Sequence, residues 1–267
     1  MNIGKYLVMY SEDLKLKNYS SSTIENYKSQ VGLFLKYFDS IVTKPSEISE
    51  RQIKDWLLLA NSINGRKHRI SAVKLFYKYT GKQPLKFKHI EYPKSEKKLP
   101  RVIDKDFLID KISKIENIKH KLIITLAYST GMRVSEVCNL KIKDVDFQRK
   151  LIHIKNAKGR KDRIVPLSQT VSDLMIKYFD LYKPTDYVFN GQNEPKYSPR
   201  SCNEIVKKYI GKEYHFHLLR HSSFTALLES GVDLRIIQKI AGHSNVKTTE
   251  CYTHVSNQFL SKVNLPI

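Results

Sequence analysis

Cysteine and acidic side chains are both in short supply: 267 residues hold three cysteines, and 26 Asp and Glu face 47 Lys and Arg, a formal charge of +21. The odd cysteine count, with no CxxC spacing around Cys138, Cys202 or Cys251, suggests neither a disulfide framework nor a zinc ribbon and fits a reducing compartment. Glycine (10) and proline (9) are too few for a chain disordered throughout, and 41% hydrophobic residues can fill one large core or two ordinary ones. Long apolar runs are missing as well. Stretches such as 122–128 fall far short of a bilayer span, and residues 1–10 lack the basic-then-apolar layout of a signal peptide, so the expected location is the cytoplasm. What remains in excess is positive charge. A surface this basic repels itself until it meets a polyanion, and nucleic acid is the partner it implies, with no membrane involved.

Residues 1–81 read as helices only. Ser22 with Glu25, and Ser49 with Gln52, have capping-box spacing ahead of apolar stripes (Ile24, Val31, Phe34, Leu35, Phe38; then Ile53, Trp56, Leu57). A third stripe, Ile70, Val73, Phe76 and Tyr77, stops at Gly81, and its start carries Arg66, Lys67 and Arg69. Residues 1–100 hold 19 basic and 9 acidic side chains, which suits a helical DNA clamp. In 82–100, Lys94, Lys97 and Lys98 join other lysines among Pro84, Pro93 and Pro100. This predicts an extended basic linker, either following a phosphate backbone or simply solvated.

From residue 101 the pattern is mixed. Helices are expected from Asp104, over 121–130 up to Gly131, from Ser168, over 199–210, 218–230 and 233–241, and from Ser244 or Asn245 through Tyr252. Segments 151–155 and 163–167 flank the turn-forming 156–159 and read as a β-hairpin. The fold class is therefore mainly α with a small β-hairpin or sheet (α+β). Two domains are expected, 1–81 and 101–267, joined by the linker 82–100 and closing as a clamp on DNA.

Ionisable residues cluster where helical periodicity does not require them: Arg133 after Gly131, Lys158 at the hairpin turn, the block His217-Leu218-Leu219-Arg220-His221, and His243 nine residues before Tyr252. Two guanidiniums, an ammonium, imidazoles and a phenol suit attack on a phosphodiester. Arginines stabilise charge building on the nonbridging oxygens, the nucleophile must be in line, and the leaving oxygen needs a proton. His217 and Arg220, three apart on a helix, can face one phosphate. No acidic cluster has metal-binding spacing such as HExxH, so neither metal nor cofactor is expected. Plainer roles remain open: Tyr252 as a packing residue, Glu136 as a surface carboxylate or a support for Arg133, His221 as a structural histidine, or zinc held by His217 and His221 with His215, Cys251 or His254.

Segments 131–137, 158–161 with 165–167, 217–221 and 234–255 together resemble the tyrosine recombinases, the family of phage integrases and Xer-type recombinases. The resemblance is specific over residues 100–260. Over 1–90 it rests on a basic helical segment similar to the family's SAM-like core-binding domain. It implies a catalytic domain in which Arg133 and Arg220 clamp the phosphate, Lys158 (with Lys161 as competitor) protonates the leaving 5′ oxygen, His217 assists proton transfer at the tyrosine, His243 hydrogen-bonds the transition state and Tyr252 forms a 3′-phosphotyrosyl bond without metal or ATP. Arg66, Lys67, Arg69, Lys94, Lys97, Lys98 and Arg160 are the expected DNA contacts. The implied partner is duplex DNA at core sites, near the nucleoid. The implied assembly is a homotetramer in the synaptic complex, compatible with a monomer in free solution, with the tail 255–267 docking either on a neighbouring protomer or within its own chain. Two rivals share parts of this pattern, a type IB topoisomerase and a non-catalytic DNA-binding regulator.

Overall fold

Short polar caps, Asn2 and then three serines, organise the first part of the chain into four helices: α1 (Ile3–Leu16), α2 (Ser21–Phe38), α3 (Glu50–Leu58) and α4 (Ile63–Tyr79). The side chains of Ser20, Ser49 and Ser62 accept the backbone N–H groups of Thr23, Gln52 and Gly65, which the first turn would otherwise leave unpaired. The cap of α2 is thus Ser20, two residues before the expected Ser22. Asn18, at φ 60, turns the chain immediately after α1, so the new helix starts as soon as a hydroxyl is available. In the computed structural model, which describes residues 1–94, 101–155, 162–243, 245–250 and 252–253, the chain forms two units, Met1–Lys97 and Lys98–Ile267.

The core of the first unit is aromatic. Phe34 meets Trp56 edge-on at 5.0 Å, and the buried hydroxyls of Tyr10 and Tyr77 each find a carbonyl, Ala72 and Pro45, at 2.8 Å. The first half of the expected linker belongs to this core rather than to an extended segment. A 3-10 turn, Pro84–Phe87, buries Phe87 and then Ile90, while the Lys86 ammonium donates to the carbonyls of Ser46 and Ile48. Two apolar residues three apart are too short a pattern to stand out among the lysines. Residues 95–100, including Lys97 and Lys98, lie outside the described residues.

The second unit comprises α5 (Lys105–Ser113), α6 (Ile118–Thr130), α7 (Val134–Asn139), β1 (Val145–Asp146), β2 (Leu151–Ile154), β3 (Arg163–Pro166), α8 (Gln169–Tyr182), α9 (Pro199–Tyr209), α10 (Phe216–Glu229), α11 (Leu234–Ala241) and α12 (Lys247–Glu250). Leu122, Ile123, Ile124, Leu126 and Ala127 are apolar around the whole of α6, so this helix takes the centre, with α8 and α10 packed on it. It starts at Ile118, three residues before the expected 121, because Asn117 caps it. The sheet is antiparallel in the order β1-β2-β3, with Ile152 opposite Val165; β1 adds a strand to the expected hairpin, whose turn, 156–161, lies outside the described residues. Cys138 on α7 and Cys202 on α9 are buried with sulfurs 3.6 Å apart, a contact that 64 residues of sequence separation hides. Among the described residues no helix is long and apolar enough to cross a membrane. The tail 254–267 also lies outside them.

Candidate active site

Two left-handed glycines shape the site. Gly131 (φ 62) ends α6 and places Arg133 at the start of α7. A Cβ there would sit 2.5 Å from the Phe224 ring of α10, so the residue type serves both the turn and the close approach. Gly242 (φ 64) ends α11 in the same way, directs the chain to His243 and passes the Arg163 side chain, 2.9 Å from where a Cβ would lie.

Glu136 anchors this corner. One turn into α7 it accepts the Arg133 backbone N–H and the Arg133 Nη1 at 2.8 Å each, and it receives both terminal nitrogens of Arg163 at 2.7 Å in a bidentate fork. Arg163 Nε donates in turn to the Ile240 carbonyl at 2.7 Å, tying β3 to α11. Glu136 is therefore a buried support for Arg133 and not a surface carboxylate. Burial alone would raise its pKa, but the hydrogen bonds and charge of Arg163, then the backbone and side-chain hydrogen bonds of Arg133, outweigh that and hold it at about 2. Sequence reasoning misses Arg163. Its only signal is an inward position on a strand, where a buried cation implies a buried partner.

A pKa lowered from 4.5 to about 2 stabilises the fold at pH values above 4.5, by about 3 kcal/mol, and that stabilisation is lost as the pH falls from 4.5 towards 2. In urea unfolding, Glu136→Gln should therefore be less stable than the parent at pH 7, with the gap closing below pH 4.5. A gap independent of pH would mean that the ion pair contributes nothing.

Helix α10 supplies His217, Arg220 and His221. Arg220, only 2% exposed, donates to the Gly131 and Ala241 carbonyls and lies 4.7 Å over the Phe224 ring. Its Nη2 also faces His243 Nε2 at 3.1 Å. Burial, and then the charge of Arg133, lower the Arg220 pKa to about 9, which leaves it a cation at neutral pH. Because an arginine only donates, His243 Nε2 accepts, and Nδ1 pairs with Thr249 Oγ1 at 2.9 Å. Burial, Arg220, Arg133 and Arg163 together push the His243 pKa down to about 4. His217 is likewise lowered, by burial and then by Arg220.

Tyr252 lies in a turn just beyond α12 and not within a helix as expected, since its N–H bonds the Thr249 carbonyl at 3.1 Å in tightened i−3 fashion. It is 2% exposed, its ring stands edge-on to Phe224 at 5.5 Å, and its hydroxyl meets His221 Nδ1 at 3.2 Å. His221 in turn packs edge-on against His217, ring centroids 4.6 Å apart. Arg133, His217, Arg220, His243 and Tyr252 thus converge from four segments, and among the described residues His221 is the histidine that touches the phenol.

Lys158, its competitor Lys161, and Arg160 lie outside the described residues, between the ends of β2 and β3. On the first unit, Arg66 and Lys67 are half-exposed on α4, and Lys94 is exposed. Arg69 is held by Trp56, stacked 4.5 Å above its ring and donating to its carbonyl. Among the described residues no three His, Cys, Asp or Glu gather as a metal ion would need, and Cys251 and His254 lie outside them.

Comparison with known proteins gives a match of residues 103–258 to the Phage integrase family and of residues 7–83 to the phage integrase N-terminal SAM-like domain. Tyrosine recombinase XerA of Pyrococcus horikoshii is 34% identical over 92% of this chain and 88% of its own. A crystal structure of XerA recombinase aligns with TM-score 0.56 and 31% identity, covering 98% of this chain and 97% of that one. XerH site-specific recombinase, crystallised on palindromic difH substrate as a post-cleavage complex, shares the fold with TM-score 0.73 at 24% identity, covering 92% and 80%.

Proposed function

The chain belongs to the phage integrase family of tyrosine recombinases and acts in site-specific recombination by cutting and rejoining DNA; from that premise we propose that Tyr252 is the nucleophile and that Arg133, Arg220, His217, His243 and Lys158 serve its attack. The observation that carries this reading is the convergence of the phenol, two guanidiniums and three imidazoles around α10. The Tyr252 oxygen attacks phosphorus, the bond to the 5′ oxygen breaks, and a 3′-phosphotyrosyl link forms. That link keeps the free energy of the phosphodiester, so a 5′ hydroxyl from another strand can reverse it without ATP. Arg133 and Arg220 offset the charge on the five-coordinate phosphorus, and Lys158 gives the leaving 5′ oxygen its proton.

Joining two duplexes takes four cleavages, so the working assembly is a tetramer on two sites in the cytoplasm, at nucleoid DNA. A nicked duplex carrying one core site should trap a covalent protein–DNA adduct in denaturing gels, and two intact sites should exchange strands. Adduct without exchange would favour a topoisomerase-like activity, and the absence of adduct would leave only a binding protein.

Lys158→Ala should cleave an ordinary substrate poorly but recover on a 5′-phosphorothiolate, whose sulfur leaves without a proton. Recovery of Lys161→Ala instead would move the acid to Lys161. Binding should weaken steeply with salt, because each neutralised phosphate releases counterions. Replacing Lys94, Lys97 and Lys98 by Ala should flatten the plot of log affinity against log salt by about 0.9 for each phosphate that is no longer neutralised. An unchanged slope would remove these lysines from the DNA path.

A further inference from the structure

We propose that His221, and not His217, takes the phenolic proton of Tyr252 as the phosphotyrosyl bond forms, and returns it when the strand is rejoined. This rests on the reading of Tyr252 as nucleophile and goes beyond it by naming the proton's destination. In the structure the hydroxyl is 3.2 Å from His221 Nδ1, the Tyr252 ring is fixed edge-on to Phe224, and His221 is itself held against His217. A base must be within hydrogen-bond reach of the proton it removes, and among the described residues His221 is the imidazole that meets this condition.

Its chemical state suits the role. A phenol O–H directed at Nδ1 requires the tautomer protonated on Nε2, which leaves Nδ1 free to accept. Among the described residues, the charged and titratable groups facing His221 are His215, His217 and Arg220 from α10 and its cap, His243 beyond α11, and Tyr252 beyond α12. Burial, then His217, Arg220 and His215, lower its pKa to about 4, so the ring is neutral throughout the physiological range. A substrate phosphate would offset the Arg220 charge and raise that basicity again, when the proton must be taken.

The step balances. The Tyr252 oxygen bonds phosphorus as its proton moves to Nδ1, and the bond to the 5′ oxygen breaks with a proton from Lys158. In rejoining, a 5′ hydroxyl attacks phosphorus, the phosphorus–tyrosine bond breaks, and the His221 cation protonates the departing phenolate. The two histidines differ in the sequence only in position. His217 has the place the family resemblance marks, whereas His221 lies one turn further along α10, on the side towards Tyr252.

The test is single-turnover cleavage of a nicked duplex by the full chain. His221→Ala should bind DNA as the parent does but form adduct about 10²-fold more slowly or worse. Its rate should recover with added free-base imidazole and should climb with pH as phenolate forms unaided. His221→Asn places an amide near Nδ1 that can hold the hydroxyl but cannot take its proton, and it should be as slow as His221→Ala. Parental rates in His221→Asn would overturn the proposal in favour of positioning alone. So would a failure of imidazole to restore His221→Ala, or rescue confined to His217→Ala. Peptide mapping of the parent's adduct checks the nucleophile separately: an adduct on another residue would overturn Tyr252 and this proposal with it, whereas an adduct on Tyr252 with parental rates in His221→Asn would overturn the proposal alone.

Discussion

Tyr252→Phe should form no covalent DNA adduct, a loss on the order of 10⁵-fold or more, and should bind duplex DNA as tightly as the parent. The substitution removes one oxygen from a ring that is 2% exposed and packed edge-on against Phe224 at 5.5 Å, so the packing survives. The cost to folding is the lost hydrogen bond to His221, about 1 kcal/mol. A loss of activity far larger than that cost can only come from the missing nucleophile. Denaturing gels with end-labelled nicked substrate read the adduct, and filter binding on the same substrate reads affinity. A persistent adduct would transfer the nucleophile to another residue and undo the assignment of the whole site.

How far the sequence alone could have carried these assignments varies from residue to residue. The caps at Ser49, Asp104 and Ser168 are legible because a short polar side chain before an apolar stripe has one use, and each caps the helix that follows. The His217–Arg220 pairing is legible for the same reason: three residues along a helix fixes which side chains are neighbours. Local rules fail where the deciding contact is distant. Nothing near Glu136 says that it is buried, since its fork to Arg163 spans 27 residues and two kinds of secondary structure. Phe87 and Ile90 look like part of a solvated linker until the first unit's core is in place to receive them. His221 reads as a supporting histidine because its partner, Tyr252, arrives from 31 residues away, through a chain direction set by Gly242. What connects Arg133, Arg220, His243 and Tyr252 in the sequence is the order of short motifs, which marks a family but gives no distances.

Arg220→Lys should be nearly as inactive as Arg220→Ala, with cleavage slower by on the order of 10²–10³-fold, even though the charge is kept. Arg220 does several things with one planar group. It donates to the Gly131 carbonyl at the end of α6 and to the Ala241 carbonyl at the end of α11, it lies over Phe224, and it sets the acceptor state of His243 Nε2. An ammonium is a point charge with no fork. It cannot span both carbonyls and still present hydrogen bonds to a phosphate, so the positions of Arg133 and His243 loosen together. Removing the charge as well, in Arg220→Ala, leaves two buried carbonyls without partners at about 1–3 kcal/mol each, and this variant should unfold at visibly lower urea. The two substitutions separate at His243. Its pKa is held down to about 4 by burial and by the cations Arg220, Arg133 and Arg163. Loss of a facing cation raises a histidine pKa, so in Arg220→Ala the His243 imidazole should titrate closer to the ordinary value, whereas in Arg220→Lys it should stay low. Proton NMR of the histidine rings across pH reads that difference directly. Cleavage by Arg220→Lys at the parental rate would mean that charge alone, and not the fork, stabilises the transition state.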